Sequence, residues 1–248
     1  MSTLHVVQYS GGIGSWAATQ RVVTAHGITN LVLLAADTRV EDPDLWRFVR
    51  DSTVHIGVAP TVVADGRTPF QVFRDQRFLG NSRLAPCSSL LKQRPARAWL
   101  DAHANPADTV LYVGIDWSET HRIPAIERGW APWTVRFPMA DEPYLSKQDM
   151  LDAARAAGVT PPRLYELGFS HNNCGGVCVR GGQKHWLHLL SVFPDLYAQA
   201  EEHEQRLRAE LGNVAILRER RGGVSRPLTL TELRRRHQAH AATAGDAP

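Results

Sequence analysis

Ser10-Gly11-Gly12-Ile13-Gly14-Ser15 is the stretch that decides how this chain folds. It follows a short apolar run, Leu4-His5-Val6-Val7-Gln8-Tyr9, and precedes a segment with helical character, Trp16 to His26. Strand, glycine turn and helix start in that order make an anion site. Glycines let the backbone turn sharply, and the unpaired N–H groups of a first helical turn point at the guest. Ser10 and Ser15 add hydroxyl donors, so a phosphate, and hence a nucleotide, is the expected ligand. The turn lacks the Gly-Lys-Ser/Thr of a P-loop and the full G-x-G-x-x-G spacing of a dinucleotide fingerprint. A glycine turn also forms for steric reasons alone, so the stretch needs support from the rest of the chain.

That support comes from alternation. Asn30 to Ala36 reads as a buried strand ending at Asp37-Thr38, and Asp42 caps a helix that opens at Pro43 and runs to about Ser52. Val58 to Ala64 is a third strand, Val110 to Gly114 a fourth, and Val135 to Pro138 a fifth. Helical spacing runs from Pro86 to Ala102, and again from Ser146, as cap, to Ala157. The pattern predicts an α/β fold: a five-stranded, mostly parallel sheet with helices on both faces, followed by a C-terminal helical extension. In such sheets ligands sit beyond the carboxyl ends of the strands, where the glycine turn, Asp37 and Gly114 all fall. Residues 1–190 read as the nucleotide-binding domain, cysteine loop included, and 191–248 as a helical, basic extension. In that extension Phe193 to Leu211 is amphipathic, Gly222-Gly223 breaks the chain, and a short helix capped at Thr231 ends at Arg234-Arg235-Arg236. The stretch from Ala241 to Pro248 is expected to be disordered.

With 248 residues, 43% of them hydrophobic, the chain can bury a substantial core. No apolar run approaches a membrane span and no signal peptide is evident, so the expected location is the cytoplasm, with no membrane partner. A net charge of +3 rules out a strong polyanion binder as a whole. Three cysteines are too few for a disulfide scaffold of this size.

Several separated segments together resemble one family, the PP-loop ATP pyrophosphatases or adenine nucleotide alpha hydrolases, in their PAPS-reductase-like branch. The S-G-G-x-x-S turn is similar to the PP-loop itself. Asp37-Thr38 stands where that branch has an acidic turn after the second strand. Cys87-Ser88-Ser89-Leu90-Leu91-Lys92, with Pro95, resembles its cysteine and lysine segment, and Gly114-Ile115-Asp116 with Glu119 and Arg122 its glycine, glutamate and arginine motif. Pro161 to Phe169, then Cys174, resembles its late loop. The resemblance spans roughly residues 4 to 180. It implies ATP with Mg2+ as cofactor, bound by Ser10 to Ser15, Asp37, Thr38, Gly114, Glu119 and Arg122, and it gives Cys87, Lys92 and Asp37 catalytic roles.

Two departures from the pattern matter. Gly14 occupies the place of an acidic loop residue that serves as a magnesium ligand, a role left to Asp37. Sulfonucleotide reductases carry a nucleophilic cysteine near the C-terminus, whereas the last cysteine here is Cys178.

All three cysteines lie in segments of the resemblance. Cys174-Gly175-Gly176-Val177-Cys178 puts two thiols on one tight loop, and Cys87 would join them. Three thiolates suit a 4Fe–4S cluster with one open iron, which some PP-loop sulfur-transfer enzymes employ. Zinc with His171 or His185 as fourth ligand is the rival, and three unrelated thiols the plain alternative. His171-Asn172-Asn173 offers polar groups to a substrate, which Gln183, Lys184 and His185 extend. Glu119 and Arg122, three apart, either pair with each other or free the arginine for a phosphate. The arginines from Arg218 to Arg236 suit tRNA or DNA phosphates or a solvated face equally.

The resulting expectation is a PP-loop enzyme that adenylates a carbonyl and transfers sulfur to it. Its partners would be an adenine nucleotide, a sulfur donor and a small-molecule or nucleobase acceptor, with tRNA, DNA and a second copy of the chain as further candidates. The rivals are a sulfonucleotide reductase and a nucleotide-binding accessory protein of a nucleic-acid modification system.

Overall fold

The computed structural model describes residues 2–80 and 85–245. Five parallel strands, β1 (Leu4–Gln8), β2 (Leu31–Asp37), β3 (Pro60–Ala64), β4 (Thr109–Tyr112) and β5 (Thr134–Arg136), form one sheet in the order β3-β2-β1-β4-β5. The register runs Val6 opposite Val32 on one side and Leu111 on the other. Consecutive residues of β1 serve opposite faces, as strand geometry requires. Val7 packs with Leu33 under α1 (Ile13–His26) and α2 (Pro43–Ile56), while Val6 packs with Leu34 and Leu111 on the other face. Both faces are therefore apolar, which is why these strands read as near-continuous hydrophobic runs.

Local signals set the helix ends. Asp42 accepts from Asp44 N at 2.8 Å beside Pro43 at the first position of α2. The short α3 (Pro69–Asp75) opens with a capping box between Thr68 and Gln71. The segment read as one helix from Pro86 is three pieces: α4 (Pro86–Ser88), a π-helical turn Ser89–Gln93, and α5 (Arg94–His103). The wider turn keeps Leu90 and Leu91 buried and carries Lys92. A 3-10 turn (Trp117–Arg122) then leads into α6 (Ile123–Trp130). Ser146 caps α7 (Lys147–Ala156) in a capping box with Asp149. α5 and α6 cover the face opposite α1, α2 and α7.

A further core joins α8 (Arg163–Glu166), α9 (Gln183–Val192), α10 (Pro194–Leu211) and α11 (Leu230–Gly245) to Phe70 and Phe73 of α3. Phe169 and Val179, on either side of the cysteine loop, are part of it. Residues on both sides of position 190 thus share one apolar cluster.

The C-terminal part departs from its sequence reading in three ways. It contains an antiparallel hairpin, β6 (Leu217–Arg221) and β7 (Val224–Leu228), for which Gly222-Gly223 is the turn and not a break. The last helix is capped by Thr229, whose hydroxyl accepts from Glu232 N at 3.2 Å, and not by Thr231. That helix runs on past Arg236 to Gly245, so 241–245 is helical where disorder was expected; residues 246–248 lie outside the described residues. Among the described residues no helix is long and apolar enough to cross a membrane.

Candidate functional site

The chain order reverses between β1 and β4, neighbours in the middle of the sheet, and ligands in open parallel sheets bind at that switch point. The glycine turn leaves β1 there and Gly114 follows β4. Gly11 takes φ +71°, and a β-carbon on it would lie 2.8 Å from the Leu45 side chain, so only glycine fits. Gly14 and Gly114 pack backbone to backbone: a β-carbon on Gly114 would stand 3.0 Å from the Gly14 carbonyl. Ser15 Oγ donates to the Gly12 carbonyl at 2.8 Å and accepts from Ser10 Oγ at 3.3 Å. One N–H of the turn is already engaged: Ile13 N donates to the Tyr165 phenol at 3.1 Å.

Beside the turn is a crevice of about 280 Å³, lined by Gln8, Ser10, Ser15, Gly114, Glu119, Arg122, Lys92 and Asn173 among others. Gln8 Nε2 is buried there without a hydrogen-bond partner, so the crevice wall holds an unspent donor. Arg122 is ion-paired with Glu119, which leaves the guanidinium shared between that carboxylate and the opening.

Asp37 and Thr38 stand elsewhere. Asp37 accepts from Arg39 N at 2.7 Å and faces the Arg39 guanidinium at 3.4 Å; it does not line the crevice. Thr38 is buried and its hydroxyl donates to Glu41 at 2.9 Å.

The cysteine loop lies across the turn. Asn172 Nδ2 donates to the Gly11 carbonyl at 3.0 Å, and its Oδ1 is buried and unpaired. Lys92 Nζ donates to Asn173 Oδ1 at 3.4 Å and faces Glu41 at 3.6 Å. Cys174 N donates to Glu41 Oε2. Cys174, Gly175 and Gly176 all have positive φ, so the loop coils left-handed. A β-carbon on Gly175 would lie 2.7 Å from the Val40 carbonyl, which shows how closely the loop seats on the Val40–Asp42 backbone.

From below, Arg163 pairs with Asp42 at 2.7 Å, and Arg47 donates to the Thr160 and Pro161 carbonyls. These bonds tie the late loop, and with it Tyr165, to the start of α2.

The thiols are free and partly buried. Cys174 donates its S–H to Cys178. That bond, with help from His171, holds the Cys178 thiol well below its usual range, and Cys174 is pushed up in turn. Burial, then the neighbouring Cys178, raises Cys87. At Lys92 burial works against the charge, but Cys174, Glu41 and Cys178 outweigh it and hold the ammonium above its ordinary value. His185 Nε2 bonds the Gly176 carbonyl at 2.6 Å and its ring stacks on His171. Gln183 and Lys184 lie at the start of α9 and are exposed.

Among the described residues, no three His, Cys, Asp or Glu side chains are grouped so as to hold a metal ion. A zinc site of three cysteines with His171 or His185 has no geometry behind it. An iron–sulfur cluster makes a different demand, since its thiolates sit on separate irons and need not share one coordination sphere. Cys87, Cys174 and Cys178 supply sulfur donors of the type such a cluster takes, and Cys178 neighbours both of the others.

Sequence reasoning missed Glu41, Gln8 and Tyr165. Glu41 has a side chain only 3% exposed and bonds to a residue 133 positions away. No local pattern announces such a partner; the one trace is an acid directly before the capping Asp42.

A parallel sheet of this order, flanked by helices on both faces and with a serine–glycine turn at its switch point, defines a doubly wound α/β fold. Among solved structures the chain is similar to phosphoadenylyl-sulfate (PAPS) reductase from Candida auris in its phosphate complex. The identity is 14%, the match covers 66% of this chain and 78% of that one, and the TM-score is 0.47. It is also similar to the U34-tRNA thiolase NcsA from Methanococcus maripaludis with its 4Fe–4S cluster, at 10% identity over 86% of this chain and 69% of that one, TM-score 0.47. No family model and no curated protein matches the chain.

Proposed function

We propose that the chain is an ATP-using enzyme that adenylates a carbonyl oxygen and replaces that oxygen with sulfur on a nucleobase or similar small acceptor. The observation that carries the reading is Lys92. It lines the crevice, faces Glu41 at 3.6 Å and donates to Asn173, which directly precedes Cys174 of the cysteine loop. Nucleotide and sulfur chemistry therefore meet at one cation.

In this reading the turn's N–H groups and serines hold the phosphates, and Gln8 meets the ligand in the crevice. The acceptor oxygen bonds to the α-phosphorus and pyrophosphate leaves. Sulfide-level sulfur then bonds to the activated carbon, the carbon–oxygen bond breaks, and AMP departs with that oxygen. No net oxidation occurs. Lys92 offsets the negative charge that builds on the phosphates, and Glu41 keeps it aimed. Cys87, Cys174 and Cys178 would hold a cluster whose open iron supplies a seat for sulfide. Magnesium has no evident carboxylate in the crevice apart from Glu119, because Asp37 is turned to Arg39.

The Tyr165 phenol on Ile13 N favours a second reading, in which the turn binds a nucleotide without cleaving it and the chain is an accessory protein. The test is anaerobic protein with ATP, Mg2+, sulfide and nucleobase-sized acceptors. Equal release of AMP and pyrophosphate, with iron and sulfide in the protein, supports the enzyme. Bound but intact ATP supports the accessory reading, and sulfite release from a sulfonucleotide would point to reduction.

A further inference from the structure

Three of the tail arginines, taken from sequence as part of a candidate phosphate-binding surface, are ion-paired in the fold. Arg234 pairs with Glu201 at 3.1 Å, Arg235 with Glu232 at 2.7 Å, and Arg236 with both Glu219 and Glu232 at 2.7 Å. A second basic surface lies elsewhere. A groove of about 700 Å³ runs between α5 and α6 and is lined by Arg94, Arg97, His121, Arg122 and Arg180, with no acidic side chain among its lining residues.

It opens into the nucleotide crevice, since Gln93 and Arg122 line both. Arg180 stands two residues after Cys178 and is exposed. Arg97 is fixed by the Gly129 carbonyl at 2.7 Å and lies 5.1 Å over the Trp130 ring, so its guanidinium is held at the groove wall. Asp65, an acid that feels Arg94, is itself bound to Arg67 at 2.6 Å.

A separate observation sits on the same 3-10 turn as Arg122. Trp117, on that turn, and Tyr144, outside it, are 48% and 54% exposed, with ring centroids 5.8 Å apart and planes tilted by 40°. Large aromatics this open have no role in a core. A row of cations, of which Arg122 is ion-paired with Glu119, near an exposed aromatic pair is the arrangement that binds single-stranded nucleic acid, with cations on the backbone and rings on the bases.

We propose that the acceptor base belongs to an unpaired stretch of a polynucleotide. Its phosphodiester backbone lies along Arg94, Arg97 and Arg180, a neighbouring base stacks on Trp117 and Tyr144, and the target base enters the crevice past Arg122. This rests on the nucleobase-acceptor reading above and names its substrate class.

The test is fluorescence anisotropy of the full chain with labelled 12-nucleotide single strands, one DNA and one RNA, and with the matching duplex, across a salt series. Single strands should bind more tightly than duplex, and the tighter of the two single strands names the sugar. The double variant Arg94→Ala/Arg180→Ala should weaken binding at least tenfold and reduce the slope of log Kd against log salt by about 1.5. Trp117→Ala should weaken it at least fivefold with the slope unchanged, while Arg235→Ala should change neither. No binding at low salt, or binding indifferent to both groove and tryptophan variants in folded protein, overturns the proposal. Pyrophosphate release with a free nucleobase is measured in parallel. Absence of strand binding by the parent chain with that release intact counts against the groove alone. Strand binding that follows these variants without any ATP cleavage supports the groove and counts against adenylation alone.

Discussion

Two of the buried carboxylates in this molecule do opposite things. Glu204 of α10 is fully buried and accepts from Ile216 N at 2.8 Å and Leu230 N at 2.7 Å, pinning the C-terminal hairpin and the start of α11. Glu41 has a nearly as buried side chain and also accepts a backbone N–H, from Cys174, but it faces the ammonium of Lys92, which lines the open crevice. Burial and backbone bonding are common to both, so neither marks a site. What separates them is the company. Glu204 has spent its lone pairs on structure, whereas Glu41 holds a cation whose other neighbours are the crevice and the cysteine loop.

That contrast can be broken most directly at Lys92. Lys92→Ala should lower ATP cleavage by about 10²–10³-fold while leaving Tm near that of the parent chain; equal loss of both would make Lys92 a structural residue like Glu204. Glu204→Ala should do the reverse. Two buried donors lose their acceptor, at roughly 1–3 kcal/mol each, so urea unfolding should show a large stability loss with nucleotide affinity retained in the folded fraction.

Gly11→Ala should fall between the two, losing about 1–3 kcal/mol from a left-handed backbone and a crowded β-carbon, together with nucleotide affinity. Unchanged affinity in that variant would remove the turn from the site. A smaller effect is expected from pH. Burial raises the Glu204 carboxyl above its ordinary value of 4.5, so the folded chain holds this proton more tightly than the unfolded chain. Its contribution to stability is present below pH about 4.5 and is lost as pH rises through the folded value. The stability of the parent chain relative to Glu204→Gln should therefore decline between pH 4 and pH 7; a flat difference would contradict the assignment.

The sheet was legible because its evidence is local. Buried parallel strands announce themselves as apolar runs, and Asp42 and Ser146 cap helices within three residues of themselves. The candidate site was partly legible: of the residues that sequence reasoning named, Ser10, Ser15, Lys92, Gly114, Glu119, Arg122 and Asn173 line one crevice, whereas Asp37 and Thr38 do not. The fold instead spends Asp37 on Arg39 and Thr38 on Glu41. Glu41, Tyr165 and Gln8 were silent because their roles depend on approach across the fold. The hairpin was hidden for another reason. Leu217-Arg218-Glu219-Arg220-Arg221 is so charged that it reads as solvated chain, although Gly222-Gly223, both with positive φ, is a recognised hairpin signal.

The central claim is that nucleotide crevice and cysteine loop are one site, joined through Lys92. The direct measurement is the rate of thiol alkylation in metal-free protein, read by mass spectrometry at Cys174 and Cys178, with and without ATP. ATP seated at the turn should slow alkylation of both at least tenfold, and Gly11→Ala should abolish the protection. Saturating ATP binding with alkylation rates unchanged would contradict the claim.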